Sequence, residues 1–124
     1  MPGSAPRRTD VDAHLPLKAA DFFVLVVLRD GPMHGYGIVR SVARRTDERV
    51  RLRPGNLYRV LDRMLDAGLL EVAERRPARD VGDERRTYYR ITALGRRVLA
   101  AEATLLAPLV ADVLGVPATG WGRA

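Results

Sequence analysis

The segment between Leu17 and Arg29 limits most strongly what this chain can fold into. Ala20, Phe23, Val24, Val27 and Leu28 recur at helical spacing as one stripe, and Phe22, Leu25 and Val26 make the other side apolar too. A helix that is apolar nearly all round must be covered on more than one side. A chain of 124 residues has material for one domain with a single modest core. A partner subunit is therefore the expected source of the extra cover. Asp30-Gly31-Pro32 stops this first helix, with glycine where a left-handed cap is wanted and proline just after it.

The remaining elements follow from periodicity and punctuation. Met1 to His14 carries Pro2, Gly3, Ser4 and Pro6 without a repeat and reads as a disordered arm. A second helix is expected from about His34 to Thr46, with Ile38, Val39, Val42 and Ala43 facing inward. Gly35 and Gly37 near its start each cost about 0.5–1 kcal/mol relative to alanine, which implies that another backbone passes close by. After a charged connector, Pro54 opens a third helix. Its residues Leu57, Val60, Leu61, Met64 and Leu65 form a single apolar stripe, leaving Asn56, Tyr58, Arg59, Asp62, Arg63 and Asp66 opposite. Leu69 to Glu74 and Thr87 to Thr92 read as two short strands, Tyr89 and Ile91 facing the core and Tyr88 and Arg90 facing away. Thr92 caps a last helix from Ala93, whose Leu94, Val98, Ala101 and Leu105 make a heptad-like seam. Pro108 kinks or restarts that helix before Gly115-Val116-Pro117 ends it.

Charge narrows the function. All but one of the 21 basic residues are arginine, and there are 15 acidic ones. From Arg40 to Arg97 sixteen arginines face nine Asp and Glu, so this segment holds the whole positive surplus. A GC-rich genome explains arginine over lysine but not the clustering. Clustered guanidinium groups attract polyanions and match phosphate and guanine edges.

Other chemistries find no support. Without cysteine there is no disulfide framework, Cys-type zinc site or thiol nucleophile. His14 and His34 are the only histidines, and no cluster has metal-ligand spacing. Ser4 and Ser41 lack a nucleophile elbow, and Gly35-Tyr36-Gly37 lacks the strand and third glycine of a dinucleotide motif. Neither catalysis nor a cofactor is expected. The longest apolar run, Phe22 to Leu28, is seven residues and too short for a membrane span. The start of the chain lacks the apolar run of a secretory signal, so the expected location is the cytoplasm, with no membrane partner.

Three helices followed by a basic hairpin is the order of a winged helix. The expected fold is mainly α with a small β-hairpin wing: a winged helix-turn-helix followed by a C-terminal dimerisation helix. In such a fold the polar face of the third helix enters the major groove and the wing reaches phosphates or the minor groove. The expected DNA-binding residues are Tyr36, Arg53, Asn56, Tyr58, Arg59, Arg63, Arg75, Arg76, Arg79, Arg85, Arg86 and Tyr88. Taken singly, these are equally well a solvated helix face and a soluble hairpin tip; their joint order favours double-stranded DNA. The alternative is a winged helix used as a protein-interaction module without specific DNA binding.

The chain also resembles the PadR family of transcriptional regulators. Met33-His34-Gly35-Tyr36-Gly37, Arg53-Pro54-Gly55-Asn56-Leu57-Tyr58-Arg59, Ala67-Gly68-Leu69-Leu70 and Thr87-Tyr88-Tyr89-Arg90-Ile91-Thr92 carry the resemblance, from about Leu17 to Leu99. It implies a bacterial DNA-binding repressor, often relieved by a small-molecule effector, that acts as a homodimer. It also implies that the C-terminal helix packs against the partner's first helix. Phe22, Phe23, Val26, Leu94, Val98, Ala101, Leu105 and Leu109 are then the expected dimer interface. The boundaries that follow are an arm over 1–14, a winged-helix domain over 15–92, a dimerisation helix over 93–115 and a tail over 116–124. Two features depart from the family's pattern. Arg53 stands where the family often has a capping serine, and Trp121 lies beyond the last helix, so no ligand-sandwiching role is assigned to it.

Overall fold

The computed structural model describes residues 7–73 and 87–117, with side chains from residue 10 onward. Its elements run α1 (Arg7–Asp12), α2 (Ala19–Leu28), β1 (Met33–His34), α3 (Gly35–Arg45), α4 (Pro54–Asp66), β2 (Leu70–Val72), β3 (Tyr88–Ile91) and α5 (Ala93–Leu114). The three strands form one antiparallel sheet in the order β1-β3-β2. This is a winged helix: α2, α3 and α4 are its three helices, and β2 and β3 are the stem of its wing. Among the described residues no helix is long and apolar enough to cross a membrane.

The apolar helix α2 is covered by its own chain. It packs against α3, α4, α5 and β3, and Val24, Leu25, Val27 and Leu28 are buried. Among its large side chains, Phe22, Phe23 and Val26 stay partly exposed. The surplus of apolar surface that pointed to a second subunit is thus largely absorbed by α5 folding back across α2. The buried Glu102 on α5 secures the approach to α2, its Oε1 accepting from the Leu17 amide at 3.1 Å.

Three local expectations are corrected. Part of the supposed disordered arm is the helix α1, which packs on α5 with Val11 half-buried; residues 1–6 lie outside the described part. A third strand, β1, precedes α3 and pairs Met33 with Tyr89 and His34 with Tyr88. At Gly35, the close neighbour is a side chain rather than a backbone: a Cβ there would meet the Tyr58 hydroxyl at 2.6 Å. Gly37 lies instead against the ring of His34, whose Nδ1 accepts from the Gly37 amide at 3.0 Å and caps α3.

The C-terminal helix has the span expected of it, and Pro108 neither ends nor restarts it. α5 runs through Pro108 for 22 residues, about 33 Å. It ends where Gly115 takes the left-handed conformation at φ 71° and the Val116 amide reaches back to the Ala111 carbonyl at 3.0 Å. Its start is fixed by Thr92, whose hydroxyl accepts from the Gly95 amide at 2.9 Å and donates to the Gly68 carbonyl at 2.7 Å. One turn in, α5 presses so closely on the α4–β2 turn that a Cβ on Gly95 would fall 2.3 Å from the Leu69 carbonyl oxygen and 2.8 Å from Ile91 Cγ1. Backbone cannot yield as a flexible side chain can. Gly95→Ala is therefore expected to destabilise the fold by at least the 1–3 kcal/mol typical of overpacking, roughly, read as a lower urea midpoint.

Candidate nucleic-acid interface

The geometry of α4 follows from its sequence. Proline at the first helical position sets the entry, while Arg53 at the cap supplies no side-chain hydrogen bond. Leu57, Val60, Leu61 and Met64 are buried, which turns the opposite face outward. Asn56, Tyr58 and Arg59 are exposed on that face, and Arg53 is exposed at the helix entry. Arg53 and Arg59 have no ion-pair partner among the described residues.

The N-terminal end of α3 meets this face through Gly35, against which the Tyr58 hydroxyl is lodged. Next to it Tyr36 projects, 58% exposed. Its ring lies parallel to that of His34, centroids 6.3 Å apart, and the Arg40 guanidinium sits 5.7 Å from its centroid. A planar aromatic held between an imidazole and a cation has little freedom to turn. Tyr36, Arg53, Asn56, Tyr58 and Arg59 therefore stand as exposed groups on the two helices, five of the twelve expected contacts.

The other seven fall differently. Arg63 is engaged by the buried carboxylate of Asp21 on α2, an ion pair that ties the last turns of α4 to the central helix. Its guanidinium braces the fold, while its side chain stays 43% exposed. Tyr88 is 2% exposed and turns inward, contrary to the expected outward placement. Its cross-strand partner His34 lies edge-on to its ring at 5.1 Å, so β1 covers a strand face expected to be open. The wing arginines Arg75, Arg76, Arg79, Arg85 and Arg86 lie outside the described residues.

The expected dimer contacts divide likewise. Val98 is fully buried in the chain's own core and has no surface to offer a partner. Leu94 packs on that core, and Ala101 is half-buried. Leu105 and Leu109 are exposed, Leu109 to 58%. They continue into an apolar patch beyond Leu109, the last residue of the expected interface: Val110, Val113 (86% exposed), Leu114 and Val116. The repeat at 105, 109 and 113 is the signal that extends the seam past Leu109. On α2, Phe22, Phe23 and Val26 line an apolar groove of ≈ 170 Å³ with Val42 and the stems of Arg45 and Thr46.

Tyr89 links wing stem to helix. Burial raises its phenol above the ordinary value of 10.0, with Tyr58 and then Asp62 on α4 adding to the effect. A raised folded-state value means that the unfolded chain gives up this proton first. The stability is thus complete below about pH 10 and is lost as pH climbs through the folded-state value. Urea unfolding at about pH 9 and about pH 11 is expected to show a loss of stability that is smaller in Tyr89→Phe than in the wild type.

Comparison with known proteins agrees with this arrangement. The model of the transcriptional regulator PadR-like family matches residues 24–101. An uncharacterised 37.1 kDa protein of transposon Tn4556 from Streptomyces fradiae is 36% identical over 90 residues, 73% of this chain and 24% of that protein. The chain thus spans about a quarter of the length of that relative. Among solved structures, RosR of H. salinarum is 28% identical with a TM-score of 0.59, over 80% of this chain and 83% of RosR. A transcriptional regulator from Clostridium thermocellum, 24% identical, superposes with a TM-score of 0.63 over 85% of this chain and 93% of its own. Wild-type MarR from E. coli, 19% identical, gives 0.65 over 86% and 70%. At such identities the last two speak to the fold.

Proposed function

The chain belongs to the PadR-like family of transcriptional regulators, and on that premise we propose that it is a sequence-specific repressor, acting as a homodimer on a pseudo-palindromic operator. The observation that carries this reading is the exposed face of α4, with Asn56 and Arg59 opposite the buried Leu57-Leu61-Met64 stripe and Tyr36 and Tyr58 beside it. A helix held by one stripe is free to lay its other face in the major groove. There Asn56 pairs with adenine and Arg59 with guanine, while Tyr36, Arg53, Tyr58 and the wing arginines hold the backbone. Residues 15–92 form the DNA-binding unit and α5 the dimerisation helix. The half-sites are separated by about one helical turn, roughly 34–36 Å.

The second copy is recruited by the apolar far half of α5, since Leu105, Leu109 and Val113 otherwise face water. Repression follows from occupancy of the operator. Release by a small molecule is the finer reading, and the apolar groove beside Phe22, Phe23 and Val26 is of a size to take a small apolar group.

Selection of bound sequences from a random duplex pool tests the whole reading by returning one palindromic consensus; equal binding of consensus and scrambled duplex would overturn it. Against that consensus, Arg59→Ala is expected to relax preference at one base position by about 1–3 kcal/mol and leave the others intact. Leu109→Glu is expected to shift the sedimentation coefficient from dimer to monomer and to weaken operator binding with it.

A further inference from the structure

Outside the α4 face, the chain carries a second concentration of positive charge. The stretch from Arg40 to Arg53 contains Arg40, Arg44, Arg45, Arg49, Arg51 and Arg53 against Asp47 and Glu48 alone. Tyr36, Arg40 and Arg44 stand at i, i+4 and i+8 on α3. Such residues stack along one face of a helix, here over about 12 Å. The row begins beside Gly35, where Tyr58 of α4 is lodged.

The connector after α3 turns back across this row. Thr46 closes the helix, its hydroxyl donating to the Val42 carbonyl at 2.8 Å and accepting from the Val50 amide at 3.1 Å. Asp47 and Glu48 then adopt φ of 57° and 67°, two successive non-glycine residues in the left-handed region. Such residues are costly, and they persist where the surroundings hold them in place. The Glu48 amide is held on the Ala43 carbonyl at 2.7 Å. This reversal builds a cleft of ≈ 370 Å³ lined by Val39, Arg40, Ala43, Arg44, Glu48 and Arg51.

The cleft's charges are not balanced among the described residues. Glu48 is turned to Arg51, Nη2 to Oε1 3.1 Å. Arg40 has its contact with the Tyr36 ring and no acidic partner, and Arg44 has no ion pair among the described residues. A solvated helix face commonly carries arginines interspersed with acids; two unpaired guanidinium groups on one face of a strained, concave wall are a different arrangement.

We propose that the α3–connector cleft is a DNA-backbone site, in which Arg40 and Arg44 hold phosphates flanking the operator half-site. The inference rests on the reading of the chain as a DNA-binding regulator and adds to it a surface outside the recognition helix. A duplex strand carries a phosphate about every 3.4 Å of axis, so a 12 Å row of cations that starts beside α4 matches about three phosphates of one strand. The contact then contributes affinity and register without base preference.

Fluorescence anisotropy on the full chain tests this with two duplexes: the selected operator trimmed to its half-sites, and the same operator extended by about one helical turn on each side. Wild type is expected to bind the extended duplex more tightly. Arg40→Ala/Arg44→Ala is expected to lose that gain, with the salt slope on the extended duplex falling by about four, two contacts from each copy of the proposed homodimer. Its deficit relative to wild type then shrinks about a hundredfold between about 50 and 200 mM salt. Base preference and affinity for the trimmed duplex stay as in wild type. Arg40→Lys/Arg44→Lys restores the slope, because a phosphate needs a cation and not a planar fork. An unchanged slope in the alanine pair, failure of the lysine pair to restore it, or an equal fall in Arg97→Ala on α5 overturns the inference while specific binding stands. Wild type that binds neither duplex overturns the regulator reading and the cleft with it.

Discussion

Everything in this fold depends on burying α2. Ten residues of nearly unbroken apolar character, Ala19 to Leu28, have to be taken out of water, and each large side chain so removed contributes on the order of 1.5–3 kcal/mol. Three helices and a strand converge on α2 to do it, and each gains its orientation from that contact. α4 is set by its stripe against the shared core and by the Asp21–Arg63 pair that rises from α2 itself. An acid in the midst of an apolar helix is costly to bury unless paired. Arg63 on the last turn of α4 supplies the pair, so the one charge in the core-forming helix also indexes the helix that presents Asn56 and Arg59.

The wing is coupled to the same core through Thr92 and Gly95. Thr92 closes the sheet, caps α5 and bonds the turn after α4, three tasks for one residue at the junction of three elements. Gly95 then lets α5 come against the Leu69 carbonyl as no other residue would. On the opposite strand edge, β1 lays His34 over Tyr88 and at once caps α3 through Nδ1. A single imidazole thereby fixes the first turn of α3, stacks on Tyr36 and covers the wing stem. The exposed aromatic and basic groups are surface residues mounted on a tightly indexed frame.

Much of this frame was legible in the residues. The α4 stripe, its proline start, the Thr92 cap and the glycine stop at Gly115 are local signals with one structural solution each. What escaped was non-local. A strand of two residues carries no periodicity, and without β1 there was no reason to place Tyr88 inside. Asp21 lies in a helix whose other residues are so apolar that its role shows only once Arg63 is beside it. α1 is six polar-rich residues held by contact with α5, and no pattern in the arm announces it. Whether Pro108 would kink or restart α5 was open for a different reason: a proline removes one hydrogen bond and crowds one carbonyl, a penalty that the rest of a 22-residue helix outweighs.

The tight seat of Gly95 also makes α5 a lever. From Gly95 to Leu114 the helix extends about 28 Å, so each degree of tilt at the fulcrum moves the far end by about half an ångström. The fulcrum rests on the turn that leaves α4, and the far end bears the apolar residues proposed to meet a second copy. In the proposed dimer the distance between the two α4 helices would be set at a point that touches neither the partner nor the bases. Changes around Leu69 and Ile91 would then alter the spacing of half-sites by small steps without touching the residues proposed to read them.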